Sequence, residues 1–345
     1  MYGNWRIPPF RNGSRSFILL CLLVPFFVAC AYPADTVTST VIIGTSRIDV
    51  TIEEGELHAS KEDVMKWVQW SAEAVAGYYG RFPVPHTSLR IIPTSGAGVR
   101  GGRTWGDRGT HISIHVGADT TWSDFAEDWM LTHEMIHLAF PDVDDQHHWI
   151  EEGISVYIEP FARVRARHMD PNLMWFEVVR DMPKGLPGPG DQGLDHTHTW
   201  GRTYWGGALF CLLADIEIQQ KTDNKKGLQD ALRGILDAGG NISQDWDLQK
   251  ALEVGDRATG VAVLKPLYEK MKDQPYPVDL PAIWTQLGIE HEGNTVRFVD
   301  SAPLAKTREA MTWGATASSA DAPKKSASLE NLTIFAGRTT TPTKR

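Results

Sequence analysis

Apolar positions recur along this chain with two periods, and the change from one to the other marks its elements. Residues 37–52 alternate and predict one or two strands; 60–79 carry a helical period, with Ser60 and Asp63 placed as a capping pair. Alternation returns at 89–93 and 110–116, two more strands, with a Gly-rich loop between them. Over 123–140 the period is again helical, with Phe125, Trp129, Ile136 and Phe140 on one face, Ser123 and Asp124 as N-cap groups and Pro141 as the stop. Residues 142–146 read as an acidic turn. A second helix is predicted over 148–159, its face built from Ile150, Ile154, Tyr157 and Phe161 at i, i+4, i+7 and i+11. From 171 to 271 the pattern is mostly helical, interrupted by a Pro- and Gly-rich loop at 183–193 placed to border a cleft. Residues 285–299 read as a short helix and strand, and 315–345, rich in Ala, Ser, Thr and Lys, as a disordered tail. No internal repeat is present. The expected fold class is α+β, with a mixed αβ lobe over 37–140 and a mainly helical lobe over 141–312.

Composition changes this picture little. The chain has 345 residues, 42% of them hydrophobic, enough for a sizeable core. Its net charge of -9, without a basic stripe, argues against nucleic acid as a partner. The ends say more. Arg6, Arg11 and Arg15 precede an apolar run over 17–29, too short for a firm membrane span and suited to a secretory signal peptide over 1–31. Ala29-Cys30-Ala31 resembles a signal-peptidase site. Phe27-Val28-Ala29-Cys30 also resembles a bacterial lipobox with an atypical first residue, so a lipid anchor at Cys30 stays open, as does an uncleaved signal anchor. The expectation is an exported protein, periplasmic or extracellular. Cys211, in an apolar run at 209–213, reads as inert packing.

The candidate chemistry sits on the two central helices. His133-Glu134-Met135-Ile136-His137 places two imidazoles four residues apart, on one helix face, where both can address one cation. Zinc suits them, because neutral imidazole nitrogen is a preferred ligand. Glu134 lies beside them, close enough to bond a water but poorly aimed as a ligand. Two imidazoles and a carboxylate in a core helix are costly without a partner. A catalytic zinc ion needs a third protein ligand and an open position. Glu152 is the best candidate: fourteen residues separate it from His137, room for a turn and a returning helix, and Gly153 would let the two helices approach closely. Read from spacing, the weaker alternative is that Glu151 and Glu152 are solvated charges at a helix N-terminus.

These residues carry a family resemblance. H-E-x-x-H followed by Trp149-Ile150-Glu151-Glu152-Gly153 resembles the gluzincins, zinc peptidases whose third ligand is Glu. The 149–157 stretch is similar to the third-ligand helix of the aminopeptidase N family, and still more to that of the glycyl aminopeptidase family. In both, the Glu before Gly is the ligand, which implies Glu152 rather than Glu151. The 203–209 segment resembles their Y-x-K-G-A segment, whose Tyr donates to the oxyanion of the tetrahedral intermediate; that role maps onto Tyr204. Segments at 213–218, 231–233 and 302–305 continue the likeness, which spans roughly 40–312. The resemblance implies a thermolysin-like zincin domain with one Zn2+ on His133, His137 and Glu152, Glu134 as general base, and a peptide or protein substrate. Two positions depart from it. Gly206 replaces the Lys, and the Gly-rich 99–104 segment, which in these aminopeptidases ends in a Glu that holds the substrate amine, has no carboxylate. Arg103 would repel an ammonium group. Aminopeptidase and endopeptidase both stay open, as does a catalytically silent relative that binds peptide or protein in the same cleft. A purely structural zinc would leave Glu134 without a task.

The remaining histidines read more plainly. His196 and His198 lie on a loop, where surface placement competes with oxyanion assistance or a second metal. His147 and His148 follow the acidic turn and read as exposed. His111 and His115 fall on the polar face of the 110–116 strand, which in gluzincins is the sheet edge that pairs with extended substrate.

Overall fold

The computed structural model describes residues 39–314. The expected signal peptide, the candidate anchor Cys30 and the expected tail over 315–345 all lie outside the described residues. Five strands form one sheet: β1 (Ser39–Ile43), β2 (Ser46–Ile52), β3 (His86–Thr94), β4 (Val99–Trp105) and β5 (His111–Gly117), in the spatial order β1-β2-β3-β5-β4. The outer pairs are antiparallel and the inner pairs, β2 with β3 and β3 with β5, are parallel. Alternation explains the central strands: Ile48, Val50, Leu89, Ile91, Ile112 and Ile114 are fully buried. They share one core with the buried face of α1 (Lys61–Tyr79), whose Ser60 cap accepts from the Asp63 amide at 3.0 Å, as the sequence predicts, and which ends on Gly80 at φ 82°.

One expected loop is a strand. Residues 99–105 form β4, the sheet's second edge, and β5 lies inside the sheet. The two glycines at its centre removed the apolar alternation by which a strand is read. The edge open to an extended chain is therefore β4 rather than the 110–116 strand.

The helix expected over 123–140 is two helices, α2 (Trp122–Glu127) and α3 (Met130–His137), the first capped by Thr121 rather than by Ser123. Asp128 breaks the path. Its backbone is extended, and its carboxylate accepts from the Met130 and Leu131 amides at 3.0 and 3.1 Å and from the Trp67 indole at 3.0 Å. A new N-terminus is thus capped three residues before His133. Trp129 turns outward at the break and is 47% exposed.

The following helix, α4 (His148–Arg165), continues past Pro160, beyond the expected end at 159. Phe161, Ala162 and Val164 are buried, and this packing outweighs the backbone bond that proline removes. Then come α5 (Pro171–Asp181), a π-helical turn over Gly201–Gly206, α6 (Gly207–Lys221), α7 (Leu228–Asp237), α8 (Leu248–Thr259), α9 (Leu264–Met271), α10 (Leu280–Leu287), a β6 (Ile289–Glu292) to β7 (Thr295–Phe298) hairpin, and α11 (Ala305–Trp313). Arg165 ties α11 to α4 through the Met311 and Thr312 carbonyls at 2.6 and 3.1 Å. Gly153 does serve a close approach, but to α6 rather than to α3: a Cβ there would lie 2.3 Å from the Gly207 backbone. Cys211 is buried in α6. No helix among the described residues is long and apolar enough to cross a membrane.

Candidate metal centre

The centre is built by α3 and α4. The cap at Asp128 sets the start of α3, so His133 and His137 emerge on one side one turn apart, while Leu131, Met135 and Ile136 are fully buried on the others. Glu152 reaches them from α4, and the next residue, Gly153, packs closely on Gly207 of α6. The Nε2 atoms of His133 and His137 lie 3.3 Å apart, and Glu152 Oε2 is 3.3 Å from the first and 3.7 Å from the second. Among the described residues this is the single set of three or more His, Cys, Asp or Glu groups whose ligand atoms converge within 4.8 Å.

The donors fit zinc. Bonds of about 2.0–2.1 Å to a tetrahedral ion would set donor atoms about 3.3 Å from one another, the spacing found here. Glu152 Oε2 is buried with no aligned hydrogen-bond partner, an arrangement that costs about 1–3 kcal/mol unless a cation satisfies it. Burial, with the nearby His133 second, holds the His137 pKa down at about 3, so its ring is neutral and its lone pair is free. Burial pushes the Glu152 carboxyl up, but His133 and His148 outweigh it, and the group stays ionised.

Glu134 points beside this set without joining it. Burial raises its pKa, and the Thr104 hydroxyl opposes that by donating to Oε2 at 2.7 Å. The same hydroxyl also lies 2.9 Å from the Glu134 carbonyl, so edge strand β4 grips this residue at two points. Two places earlier on β4, a Cβ on Gly102 would come within 2.5 Å of the Glu134 side chain. Glycine is what lets the strand lie over the carboxylate. The sequence marks the Gly-rich 99–104 segment that holds both residues, but not their contacts with Glu134. A strand signal at 99–105 would have pointed to them, and the glycines obscured it.

Tyr204 arrives on the π-helical turn Gly201–Gly206, a local widening of the helix that re-aims a side chain. It is half-buried, and its pKa is pushed to about 12 by burial first and by the Glu152 carboxylate second. The turn is anchored by Arg202, which is buried, donates to the Gly185 carbonyl and faces Asp191 at 2.7 Å. The 183–193 loop is thereby pinned to the segment carrying Tyr204. Trp200, 60% exposed, stacks on Tyr204 with ring centroids 5.8 Å apart.

Other histidines separate clearly. His147 is buried, contrary to expectation: its Nδ1 is 3.0 Å from Asp195, whose carboxylate also accepts from the Trp149 indole at 2.8 Å and the Tyr268 hydroxyl at 2.7 Å. The Asp195 network fixes the start of α4 against α9. His148 is exposed, as expected, yet its Nε2 lies 3.2 Å from Glu152 Oε1. His196 is exposed and pairs with Asp273 at 3.0 Å, and His198 is exposed. His111 and His115 are exposed on β5.

At the level of sequence, no family model and no curated protein matches the chain. The likeness is in the fold. An aminopeptidase N family protein from Idiomarina loihiensis superposes with a TM-score of 0.57 at 12% identity, over 73% of this chain and 49% of that one. A mutant of the M1 zinc metallopeptidase from Deinococcus radiodurans aligns with a TM-score of 0.46 at 12% identity, over 70% of this chain and 52% of that one. The chain spans about half the length of these structures.

Proposed function

We propose that the chain is a zinc metallopeptidase of the gluzincin kind, with a thermolysin-like arrangement of its two lobes, acting on peptide or protein substrates outside the cytoplasm. One observation carries this reading: three donors from two helices meet at zinc-like spacing, and a second buried carboxylate, Glu134, stands beside them without joining the set. The fold likeness to an aminopeptidase N family protein supports it.

His133, His137 and Glu152 hold the ion in this reading. When bound, zinc supplies Lewis acidity and lowers the pKa of water towards ~7. Glu134 does the proton work. Thr104 occupies Oε2 and fixes the carboxylate, leaving Oε1 to take the proton of the attacking water and return it to the leaving amine. With its pKa near 12, Tyr204 keeps its phenolic proton at neutral pH and donates it in a hydrogen bond to the developing oxyanion. Loss of one such donor typically costs ~10²–10³ in rate. The open edge of β4, passing over Glu134, offers backbone groups to an extended substrate.

A second reading, a catalytically silent peptide-binding relative, is favoured by Arg103, exposed on β4 where an amine-holding carboxylate would be expected, and by Gly206. The two separate in one assay: metal content, with hydrolysis of a mixed peptide library by the wild type and Glu134→Gln. The expected result is about one zinc per chain and a rate loss of ~10²–10⁴ in the variant. Equal cleavage by both proteins would remove the catalytic assignment. Arg103 further favours substrates without a free amine at the site, so amino-blocked peptides are expected to be cleaved at least as well as free ones. Strict dependence on a free N-terminus would point to an aminopeptidase.

A further inference from the structure

His148 and Glu151 have no part in the reaction just described, yet they touch its centre. Glu152 presents Oε2 to His133 and His137, and its other oxygen, Oε1, lies 3.2 Å from His148 Nε2. His148 stands outside the set of converging ligand atoms, so it addresses the carboxylate and not the ion. Its opposite nitrogen, Nδ1, is 3.0 Å from Glu151 Oε2. Glu151 is fixed in turn by the Val143 amide, which donates to Oε1 at 3.3 Å from the acidic turn between α3 and α4. The result is a continuous chain of contacts: turn backbone, Glu151, His148, Glu152, His133 and His137.

We propose that His148 is a positioning residue, held by Glu151, that orients Glu152 as a one-oxygen ligand. The proposal rests on reading the triad as a metal site. Its physical basis is the carboxylate torsion. Rotation about the last bond of Glu is broad and nearly unrestrained, so a free Glu152 samples many orientations that present neither oxygen correctly. A donor on Oε1 removes that freedom before the ion arrives and leaves Oε2 aimed at the imidazoles. Partners of this kind, one step from the metal, typically hold 10–100-fold in affinity. His148 sits four residues before Glu152, so the two share a helix face and the contact needs no distortion of α4. The reading also gives Glu151 a role distinct from that of its neighbour: one carboxylate binds the ion and the other steadies the imidazole.

The test is zinc affinity, measured on metal-stripped protein by competition with a chromophoric chelator, for the wild type, His148→Phe, His148→Gln and Glu152→Ala. Phe keeps a ring but has no N–H, while Gln keeps a donor. His148→Phe is expected to bind zinc 10–100-fold more weakly, with His148→Gln recovering most of that loss. Thermal midpoints of the zinc-free proteins should agree, because the exposed ring contributes little to packing. Cobalt substituted for zinc should give visible bands that shift in His148→Phe and return in His148→Gln, a signature that a purely structural role would not produce. Wild-type affinity and an unchanged cobalt spectrum in His148→Phe would overturn the proposal alone. A wild type that takes up no more zinc than Glu152→Ala would overturn the metal site itself and this proposal with it.

Discussion

Glu134 shows how narrow the tolerances are at a single residue. A carboxylate buried beside two imidazoles and another carboxylate has its pKa raised, and only the Thr104 hydroxyl and the absence of a side chain at Gly102 let it keep its place. Gly102→Ala puts a methyl within 2.5 Å of the Glu134 Cγ. The strand backbone has no cause to move, because the obstacle is a side chain able to rotate. The expected outcome is a fall in kcat of about 100-fold or more, the usual contribution of a general base, with zinc content and thermal midpoint close to wild type. Steady-state kinetics beside a metal assay check it. A loss of zinc in step with activity would show instead that β4 supports the ligands.

Elements hold the site through their edges and contact points. On the side of the sheet away from the centre, Asp49 of β2 joins three strands: it accepts from Thr40 of β1 at 2.9 Å and from Arg47 at 2.6 Å, and lies 2.9 Å from His86 of β3. Burial pushes its pKa up, but these partners outweigh burial and bring it down to about 2. A carboxylate whose folded pKa lies below its unfolded value adds stability that is present above the unfolded value, near 3.8, and is lost as pH falls towards 2. Arg47 and His86 are each 53% exposed, so screening reduces the effect to about 1 kcal/mol. Asp49→Asn is expected to lose about that amount near neutral pH and to show a flatter stability profile between pH 4 and 2. Denaturant titrations across that range give the answer, and an unchanged acid limb would mean that the contacts add nothing.

At the scale of the molecule, the ion and the fold are linked. The ligands come from two helices separated by a turn, so a metal that binds only the folded chain stabilises it by about 4 kcal/mol when present at a thousandfold over its dissociation constant. Chelation should therefore lower the thermal midpoint reversibly, and readdition of zinc should restore it. A midpoint indifferent to chelator would count against a bound ion. The sequence carried much of this in its local patterns. Helical spacing placed His133 and His137 on one face, the H-E-x-x-H and W-x-x-E-G pair pointed to Glu152, and alternation located β1, β2, β3 and β5. All of these are short-range signals, readable because a period of two or 3.6 survives without knowledge of the partner. What needed the folded chain was every contact between segments distant in sequence. Asp128 broke a helix whose period ran on, because its carboxylate had Trp67 and two amides to hold. Gly101 and Gly102 hid an edge strand that only pairing with β5 reveals. His147 left the surface because Asp195, 48 residues on, was waiting for it. Gly153 met α6, not α3. Which side chains converge is settled by packing across the molecule, and packing leaves no periodic trace in the chain.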